Sequence, residues 1–321
     1  MGTYRFFLAI GVLISHTKID TFGYEIGVVA VTSFFLISGY LNTSIIEKYY
    51  KNRIINYYVD RFIRIAPLYF FYFILIILIN YFLEIKVITF FQIILEIPII
   101  INGYFYLLDN ILGISWWKLT YINPPTWSLG TEITFYIFIP FIIIYKKYFN
   151  IIFLLSLLCY LIIIIFFKDY HDPLGYRFLP FTLYIFLLGG SLFYNSLKKN
   201  NLIKIAIFIF AILTAIINYK LDYLKISFAK EIALGILSSI FFLSYLKDIK
   251  NKIDMYLGGL SYGIFLNHFF IIEILNKYLI ESEIKKTFIA ILTSIIFSLI
   301  SYHFIEKNSS VFRKKIRYNN K

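Results

Sequence analysis

The stretch RFFLAIGVLISH, which runs from Arg5 to His16, decides the fold because it places two ionisable side chains at the ends of an apolar helical run. At ~1.5 Å of rise per residue, the two side chains lie roughly 16 Å apart along a helix, about half the thickness of a bilayer core. Ionisable residues are costly inside a membrane, so those found there are candidates for function. The alternative is an N-terminal anchor in which Arg5 and His16 mark the two edges of the membrane.

The remainder of the chain has the composition of a multi-pass helical membrane protein. Hydrophobic residues make up 60% of its 321 residues, and they include 36 Phe and 29 Tyr. This composition excludes a soluble domain, and the long continuous apolar runs exclude the alternating strands of an outer-membrane barrel. We therefore predict an all-α transmembrane bundle with one membrane domain, residues 1–306, and a basic cytoplasmic tail, residues 307–321. The ten predicted spans are 4–19, 24–44, 66–83, 127–145, 149–167, 177–196, 202–219, 228–246, 257–279 and 286–305.

The apolar segment 88–115 is interrupted by Glu96, Pro98, Asn102 and Gly103, and charge decides its path. If this segment makes no net crossing and the N-terminus is cytoplasmic, most of the 31 basic residues lie on the cytoplasmic side. Short cytoplasmic loops of membrane proteins carry such an excess of Lys and Arg. We therefore predict a re-entrant or interfacial segment here and cytoplasmic N- and C-termini, with a paired double crossing as the alternative.

Charge and spacing also exclude some classes of function. The net charge of +13 belongs to a membrane protein, in which basic residues mainly set orientation, so no soluble basic face exists for nucleic acid. The single cysteine excludes an intramolecular disulfide. The four histidines are scattered, without the HExxH spacing of a zinc site, and we predict no metal.

His16 is the candidate for general acid–base chemistry. A neutral imidazole takes a proton from a sugar hydroxyl near pH 7 as that hydroxyl attacks a carbonyl. Asp20 follows four residues later and would orient the imidazole ring if the helix continues that far. The alternative interpretation places the His16 side chain at the outer interface of the membrane.

A second group of polar residues lies in and after NPPTWSLGTE, Asn123–Glu132. Ser128 is predicted to cap the helix that follows, and Glu132 then faces inward one turn later. A buried carboxylate needs a partner, which His16 or Arg177 would provide toward the outer side. The alternative for Glu132 is an ordinary first-turn acid that interacts favourably with the helix dipole.

A third group is predicted on the inner side of the membrane. Ser38 and the glycine after it, in SFFLISGYL, either admit a ligand or pack two helices closely. Arg61 and Arg64 precede Pro67, which is predicted to open a helix. Their charge and forked geometry suit the binding of phosphate groups. The alternative is that they contact anionic lipid. His268 closes SYGIFLNH, either as a functional residue or as a packed polar residue bonded to a neighbouring helix.

Taken together, these stretches resemble the membrane-bound acyltransferase family 3, bacterial integral-membrane proteins that O-acylate envelope glycans. The matching segments are R-x10-H, FFLISGYL, RFIRIAPLY, WSLGTEITFYIFIP, RFLPFTLYIFLLGG, and SYGIFLNHFF with the closing FIEK. The family often has an acidic pair after WSL, whereas this chain has Gly130, Thr131 and Glu132 and keeps only the second acid. The ordered set spans nearly the whole chain and is more specific than any one segment.

The resemblance implies an O-acyltransferase of the bacterial cytoplasmic (inner) membrane. It implies acyl-CoA, most often acetyl-CoA, as the cytoplasmic donor, no metal, and a carbohydrate hydroxyl at the outer face as the acceptor. Arg5 and His16 match the essential pair of the family. We assign catalysis to His16, as general base or transient acyl carrier, with Glu132 and Arg5. The donor is assigned to Arg5, Ser38, Arg61, Arg64 and His268, and the acceptor to Trp127, Ser128, Arg177 and Asp20.

The residues leave other functions open. Ten helices around a charged cavity also suit a transporter or flippase of the cell envelope, although the symmetric repeat and paired broken helices of such proteins are not evident. A binding or assembly subunit without catalysis, and an exporter-like protein acting on a free small molecule, are further alternatives. O-antigen, capsule, exopolysaccharide and peptidoglycan are all open as acceptors, free or lipid-linked, and the sequence does not determine the oligomeric state.

Overall fold

A computed structural model describes residues 1–112, 122–198, 228–246, 251–279 and 281–318. Within these ranges the regular secondary structure is helical throughout. The α-helices are α1 (Gly2–Ser15), α2 (Ile26–Ile45), α3 (Ile54–Leu83), α4 (Phe90–Glu96), α5 (Ile99–Leu112), α6 (Trp127–Ile144), α7 (Phe149–Phe166), α8 (Leu179–Lys198), α9 (Ala229–Leu246), α10 (Lys252–Tyr278), α11 (Glu283–Ser301) and α12 (Lys307–Tyr318).

In the described part of the chain, 8 helical segments are long and apolar enough to cross a membrane. They contain α2, α3 and α6 to α11, and they correspond to eight of the predicted spans. The span predicted at 4–19 is the shorter apolar helix α1, of 14 residues. The span predicted at 202–219 lies outside the described residues. The prediction of an all-α multi-pass bundle is confirmed.

Helix α1 packs against α2 and α10. Asp254 of α10 holds its first turn, since Oδ1 accepts hydrogen bonds from Thr3 N at 2.9 Å and from Thr3 Oγ1 at 3.0 Å. A Cβ atom at Gly258 would lie 2.8 Å from the Cα atom of Gly2, so glycine lets the two backbones approach closely. These contacts fix the helix that carries both residues of the R-x10-H motif.

Helices α2 and α8 touch along their backbones. A Cβ atom at Gly39 would overlap the carbonyl oxygen of Phe186, and one at Gly189 would overlap the carbonyl oxygen of Leu36. Gly39 therefore packs two helices, which is one of the two uses predicted for this stretch. Ser38, the residue before it, faces a cavity.

Helix α3 begins earlier than predicted. The prediction that Pro67 opens this helix is wrong, because α3 begins at Ile54 and Pro67 lies inside it. A proline removes one backbone hydrogen bond, and membrane helices tolerate this where neighbouring groups satisfy the freed carbonyl. Arg61 and Arg64 are consequently helical, three residues apart, and they share one face of α3.

The segment predicted at 88–115 contains two short helices, α4 and α5, which are separated by Ile97 and Pro98. Helix α4 begins with a capping box formed by Thr89 and Gln92. Helix α4, with 7 residues, is too short to cross a membrane by itself, and α5 is described over 14 residues, as far as Leu112. The re-entrant or interfacial path of this segment stays a prediction.

Polar contacts from this region hold the loop that precedes α6. The buried Glu96 side chain accepts a hydrogen bond from the backbone nitrogen of Ile122. Lys86 Nζ donates to the carbonyl oxygen of Ile122 at 3.0 Å. Asn102 Nδ2 donates to Thr126 Oγ1 at 3.2 Å. The residues at the start of α6 therefore have a fixed position relative to α4 and α5.

Candidate active site

A cavity of about 100 Å³ lies among α1, α2, α3, α6 and α10. We call it the arginine cavity. It brings together four of the five residues predicted to hold the donor, and it also contains one predicted catalytic carboxylate. These residues are Arg5, Ser38, Arg61, Arg64 and Glu132.

Glu132 lies in the arginine cavity and not with His16 or Arg177, so its predicted placement on the outer side is wrong. Its Oε1 atom accepts hydrogen bonds from Ser38 Oγ at 2.5 Å and from Tyr136 OH at 2.6 Å. The position of Glu132 along α6, about 6 Å beyond Ser128, agrees with the prediction. The error lies in its neighbours, because α2 brings Ser38 to this part of α6. A carboxylate at this depth takes its hydrogen bonds from α2 and from its own helix.

The two arginines of α3 are each paired with a carboxylate. Arg61 Nε donates to Asp60 Oδ2 at 3.0 Å, and Arg61 Nη1 donates to Asn42 Oδ1 at 3.4 Å. Arg64 forms an ion pair with Glu306. These contacts orient both guanidinium groups while leaving each of them in the cavity lining.

A second cavity, of about 230 Å³, lies next to the end of α1. We call it the histidine cavity. Three of the four residues predicted for the acceptor line it, together with the predicted catalytic imidazole. These residues are His16, Trp127, Ser128 and Arg177.

His16 caps the C-terminus of α1, and the residue is exposed. Its imidazole ring stacks on the His268 ring with a centroid separation of 5.2 Å and an interplanar angle of 28°. The Phe269 ring meets the His16 ring edge-on at 5.4 Å. One face of the His16 ring is therefore supported by α10, while the residue remains accessible from the histidine cavity.

His268 does not join the arginines, although it was assigned to the donor. Its side chain is buried, and Nδ1 lies 2.8 Å from the carbonyl oxygen of Phe265 and 3.2 Å from that of Ile264. Because a carbonyl oxygen only accepts, Nδ1 is the donor in these contacts, and Nε2 has a lone pair when the ring is neutral. No residue in the described ranges hydrogen-bonds to Nε2. Helix α10 lines both cavities through Phe265, and His268 lies about one turn beyond Phe265, outside the arginine cavity.

Arg177 and Trp127 form one wall of the histidine cavity. The guanidinium carbon of Arg177 lies 4.3 Å from the centroid of the Trp127 ring, a cation–π distance. Arg177 Nε donates to Asp172 Oδ1 at 2.8 Å. The aromatic face and the forked cation are thus held in one orientation at the start of α6.

Two sequence-based predictions about this region are wrong. Helix α1 ends at Ser15, so Asp20 does not lie one turn beyond His16; it is exposed and accepts a hydrogen bond from Gly23 N at 3.3 Å. Ser128 does not cap α6, because that helix begins at Trp127 and Ser128 Oγ donates to the carbonyl oxygen of Pro125 at 3.2 Å. Both errors concern where a helix begins or ends, by one to four residues.

The two cavities share one wall. Val31, Ser128 and Phe265 line both of them, and these residues are 6%, 6% and 9% exposed, respectively. We call these three residues the partition. A single layer of side chains therefore separates the arginines from the histidine cavity.

Sequence reasoning missed several residues of the two cavities. Tyr136 follows Glu132 by four residues, so helical spacing was the available signal for that pair. Asp60 and Glu306 contact the arginines from behind the cavity wall. Glu306 belongs to the closing FIEK segment, but no local pattern relates it to Arg64, which is distant in sequence. Within the described ranges, no cluster of three or more His, Cys, Asp or Glu residues is arranged to hold a metal ion.

Comparison with known proteins identifies the class. Residues 3–303 match the model of the acyltransferase 3 family, described as Acyltransferase domain. Because the match covers nearly the whole chain, this chain belongs to the acyltransferase 3 family.

Two relatives illustrate how far the similarity extends. An uncharacterised protein of Aquifex aeolicus (strain VF5) is 31% identical in an alignment 218 residues long that covers 64% of this chain and 91% of that protein. The O-acetyltransferase OatA of Staphylococcus aureus (strain NCTC 8325 / PS 47) is 27% identical in an alignment 351 residues long that covers 94% of this chain and 55% of OatA. The chain therefore spans about half the length of OatA. No solved structure matches the chain.

Proposed function

We propose that this protein transfers an acyl group, acetyl by default, from acyl-CoA to a hydroxyl group of a cell-envelope carbohydrate. The observation that carries the proposal is the pair of cavities: one contains arginines, the other contains His16, and one layer of side chains separates them. The family membership and the name of OatA, an O-acetyltransferase, support the reaction class.

The arginine cavity is assigned to the donor. Coenzyme A carries several phosphate groups, and guanidinium groups bind phosphate oxygens through paired, charge-assisted hydrogen bonds. In this proposal Arg5, Arg61 and Arg64 face the cytoplasmic side of a bacterial inner membrane, and both chain termini lie on that side. The excess of basic residues in the loops of that side supports this orientation.

His16 is assigned to the transfer step as general base. The imidazole takes the proton of the acceptor hydroxyl as its oxygen bonds to the thioester carbonyl carbon. The carbon–sulfur bond then breaks, and the coenzyme A thiolate leaves with the proton that the imidazolium returns. In the variant with a transient acyl-histidine, the imidazole bonds to the carbonyl carbon first and the hydroxyl displaces it afterwards.

Glu132 and Arg5 are assigned to the thioester end of the donor. Glu132 fixes the Ser38 and Tyr136 hydroxyl groups by accepting a hydrogen bond from each. Arg5 supplies a positive charge in the same cavity. This arrangement gives the neutral thioester polar groups that need no reorganisation during transfer.

The histidine cavity is assigned to the acceptor. A flat indole such as that of Trp127 provides a surface on which the apolar face of a sugar ring packs. Arg177, held by Asp172, offers hydrogen-bond donors to ring substituents. The exposure of His16 supports access by a large, polymeric acceptor.

The test compares cells that carry the gene with cells from which it has been deleted, and with deletion cells that express the His16→Ala variant. We expect the envelope glycan to lose its ester groups in the last two strains while the amount of glycan stays constant. A transporter or flippase predicts a change in glycan amount instead. A non-catalytic subunit predicts normal ester content in the His16→Ala strain, provided that the variant reaches the membrane at the wild-type level.

A further inference from the structure

The ionic groups at the arginine cavity balance one another. Its lining carries one carboxylate, that of Glu132, while Asp60 and Glu306 contact guanidinium groups from behind the wall. The three guanidinium groups of the lining belong to Arg5, Arg61 and Arg64. Three positive and three negative charges therefore lie in or directly behind the lining, and their sum is zero. A neutral set of ions attracts a polyphosphate weakly over a distance.

Helix α12 brings two more guanidinium groups to Asp60. Arg313 Nε donates to Asp60 Oδ1 at 3.3 Å. Arg317 donates from Nε to Oδ1 at 3.2 Å and from Nη2 to Oδ2 at 3.1 Å. The Asp60 side chain is 0% exposed, so one fully buried carboxylate is shared by three guanidinium groups. This cluster carries two positive charges in excess.

Further contacts hold α12 against the inner end of the bundle. Arg53 Nη2 donates to the carbonyl oxygen of Arg317 at 3.3 Å, and the hydroxyl groups of Tyr49 and Tyr318 lie 3.3 Å apart. The opposite face of the helix carries Lys314 and Lys315, which are exposed. The segment that the sequence presents as a basic tail therefore has one face bound to the bundle and one face that is not.

We propose that Arg313 and Arg317 are positioning residues for the donor, because they share Asp60 and thereby leave the charge of Arg61 available to a phosphate group. This inference rests on the proposed function, in which the phosphate-bearing ligand is coenzyme A. Without α12, Asp60 and Arg61 form a neutral ion pair. With α12, the same carboxylate is divided among three cations, and the inner end of the arginine cavity becomes positive by two charges.

The experiment measures initial rates of the purified full-length protein in lipid nanodiscs, with acetyl-CoA varied and envelope glycan isolated from the deletion strain as the acceptor at a saturating amount. The Arg313→Ala/Arg317→Ala double variant is compared with Lys314→Ala/Lys315→Ala, which removes the same charge from the free face of the same helix. We expect the arginine pair to raise the KM for acetyl-CoA at least tenfold with kcat within threefold of wild type. We expect the lysine pair to change the KM less than twofold.

Two further variants separate charge from structure. Arg313→Lys/Arg317→Lys keeps the charge and is expected to restore the KM to within threefold of wild type. Asp60→Asn, added to the double alanine variant, removes the carboxylate that neutralises Arg61 and is expected to lower the KM again at least threefold. A purely structural role predicts that this triple variant is more impaired than the double variant.

The inference is overturned if the arginine and lysine pairs have equal effects, if kcat falls while the KM is unchanged, or if Asp60→Asn gives no rescue. A wild-type protein that shows no acetyl-CoA-dependent transfer overturns the proposed function itself. The two failures are therefore distinguishable in the same set of assays.

Discussion

The arginine cavity and the histidine cavity differ in how their polar groups are satisfied. In the arginine cavity, Glu132 accepts two hydrogen bonds, and Arg61 and Arg64 each contact a carboxylate. In the histidine cavity, His16 is exposed, and its ring contacts are stacking and edge contacts with α10. The first arrangement holds its charged groups in fixed positions, and the guanidinium groups of α12 at Asp60 add the positive charge that an anionic ligand needs. The second arrangement suits a group that must exchange protons with an incoming acceptor. In the proposed function, Arg5 and Glu132 act on the donor on one side of the partition, and His16 acts on the acyl group and the acceptor on the other side.

The largest effect is expected from His16→Ala. A positioned general base contributes about 10²–10⁴-fold to a transfer rate, so we expect acyl transfer to fall by that factor. Because His16 does not line the arginine cavity, the Kd for acetyl-CoA should stay within twofold of wild type. Calorimetry on the purified variant measures the Kd for acetyl-CoA, and a rate assay measures acyl transfer. Loss of acetyl-CoA binding in this variant would contradict the proposal that the two cavities have separate roles.

Arg61→Ala should raise the KM for acetyl-CoA, because Arg61 lines the arginine cavity and His16 does not. A hydrogen bond to a charged group contributes about 1.5–3 kcal/mol, which corresponds to a roughly 10–150-fold higher KM for acetyl-CoA. Asp60 retains Arg313 and Arg317, so the buried carboxylate keeps partners and the fold should persist. Steady-state kinetics with varied acetyl-CoA check the result, and a loss confined to kcat would contradict it.

Phe265→Ala is expected to change which acyl group is transferred. Its side chain lines both cavities, so truncating it widens the partition that the acyl group has to pass. Each added methylene of the acyl chain is worth about 0.8 kcal/mol of apolar contact, and we expect the kcat/KM ratio of butyryl-CoA to acetyl-CoA to rise about tenfold.

Phe34→Ala is the matched control for this test, because Phe34 lines the arginine cavity but not the histidine cavity. The butyryl-to-acetyl ratio should change less than twofold in that variant. Equal changes in both variants would show that general loosening, and not the partition, sets acyl selectivity.

The smallest effect is expected from Asp20→Ala. Asp20 lies in an exposed loop and accepts a hydrogen bond from Gly23, so its removal should alter transfer less than twofold at any substrate concentration. The rate assay used for His16→Ala checks this directly. A loss of tenfold or more would mean that Asp20 approaches the imidazole in the working protein, contrary to the observed end of α1 at Ser15.

Several features of the sites were predicted from sequence because they depend on spacing within one helix. The R-x10-H spacing placed Arg5 and His16 at two depths, and the structure puts them in two separate cavities. Arg61 and Arg64 were predicted as a pair in the linker before Pro67, and both line the arginine cavity; the structure shows that they lie inside α3. Their chemical roles remain predictions that the experiments above test.

Other features were not predicted because they depend on where helices end and which helices meet. His268 has no sequence signal that relates it to His16, and α10 brings the two rings together from opposite ends of the chain. Asp20 was misplaced because a helix end has no reliable local signal in an apolar run, and observed boundaries commonly differ from predicted ones. Glu132 was misplaced because its partner depends on which helices meet: Ser38 reaches the carboxylate from α2.

By itself, the sequence determined that the chain is an all-α membrane protein of the acyltransferase 3 family. It also identified the candidate site residues. Long apolar runs leave a helical bundle as the stable arrangement in lipid, since every backbone polar group must be satisfied internally. Only the tertiary structure decided that Glu132 lies with the arginines, that His16 stacks on His268, and that α12 binds Asp60. These contacts join residues far apart in the chain, and side-chain packing between helices selects them, which no local pattern of residues encodes.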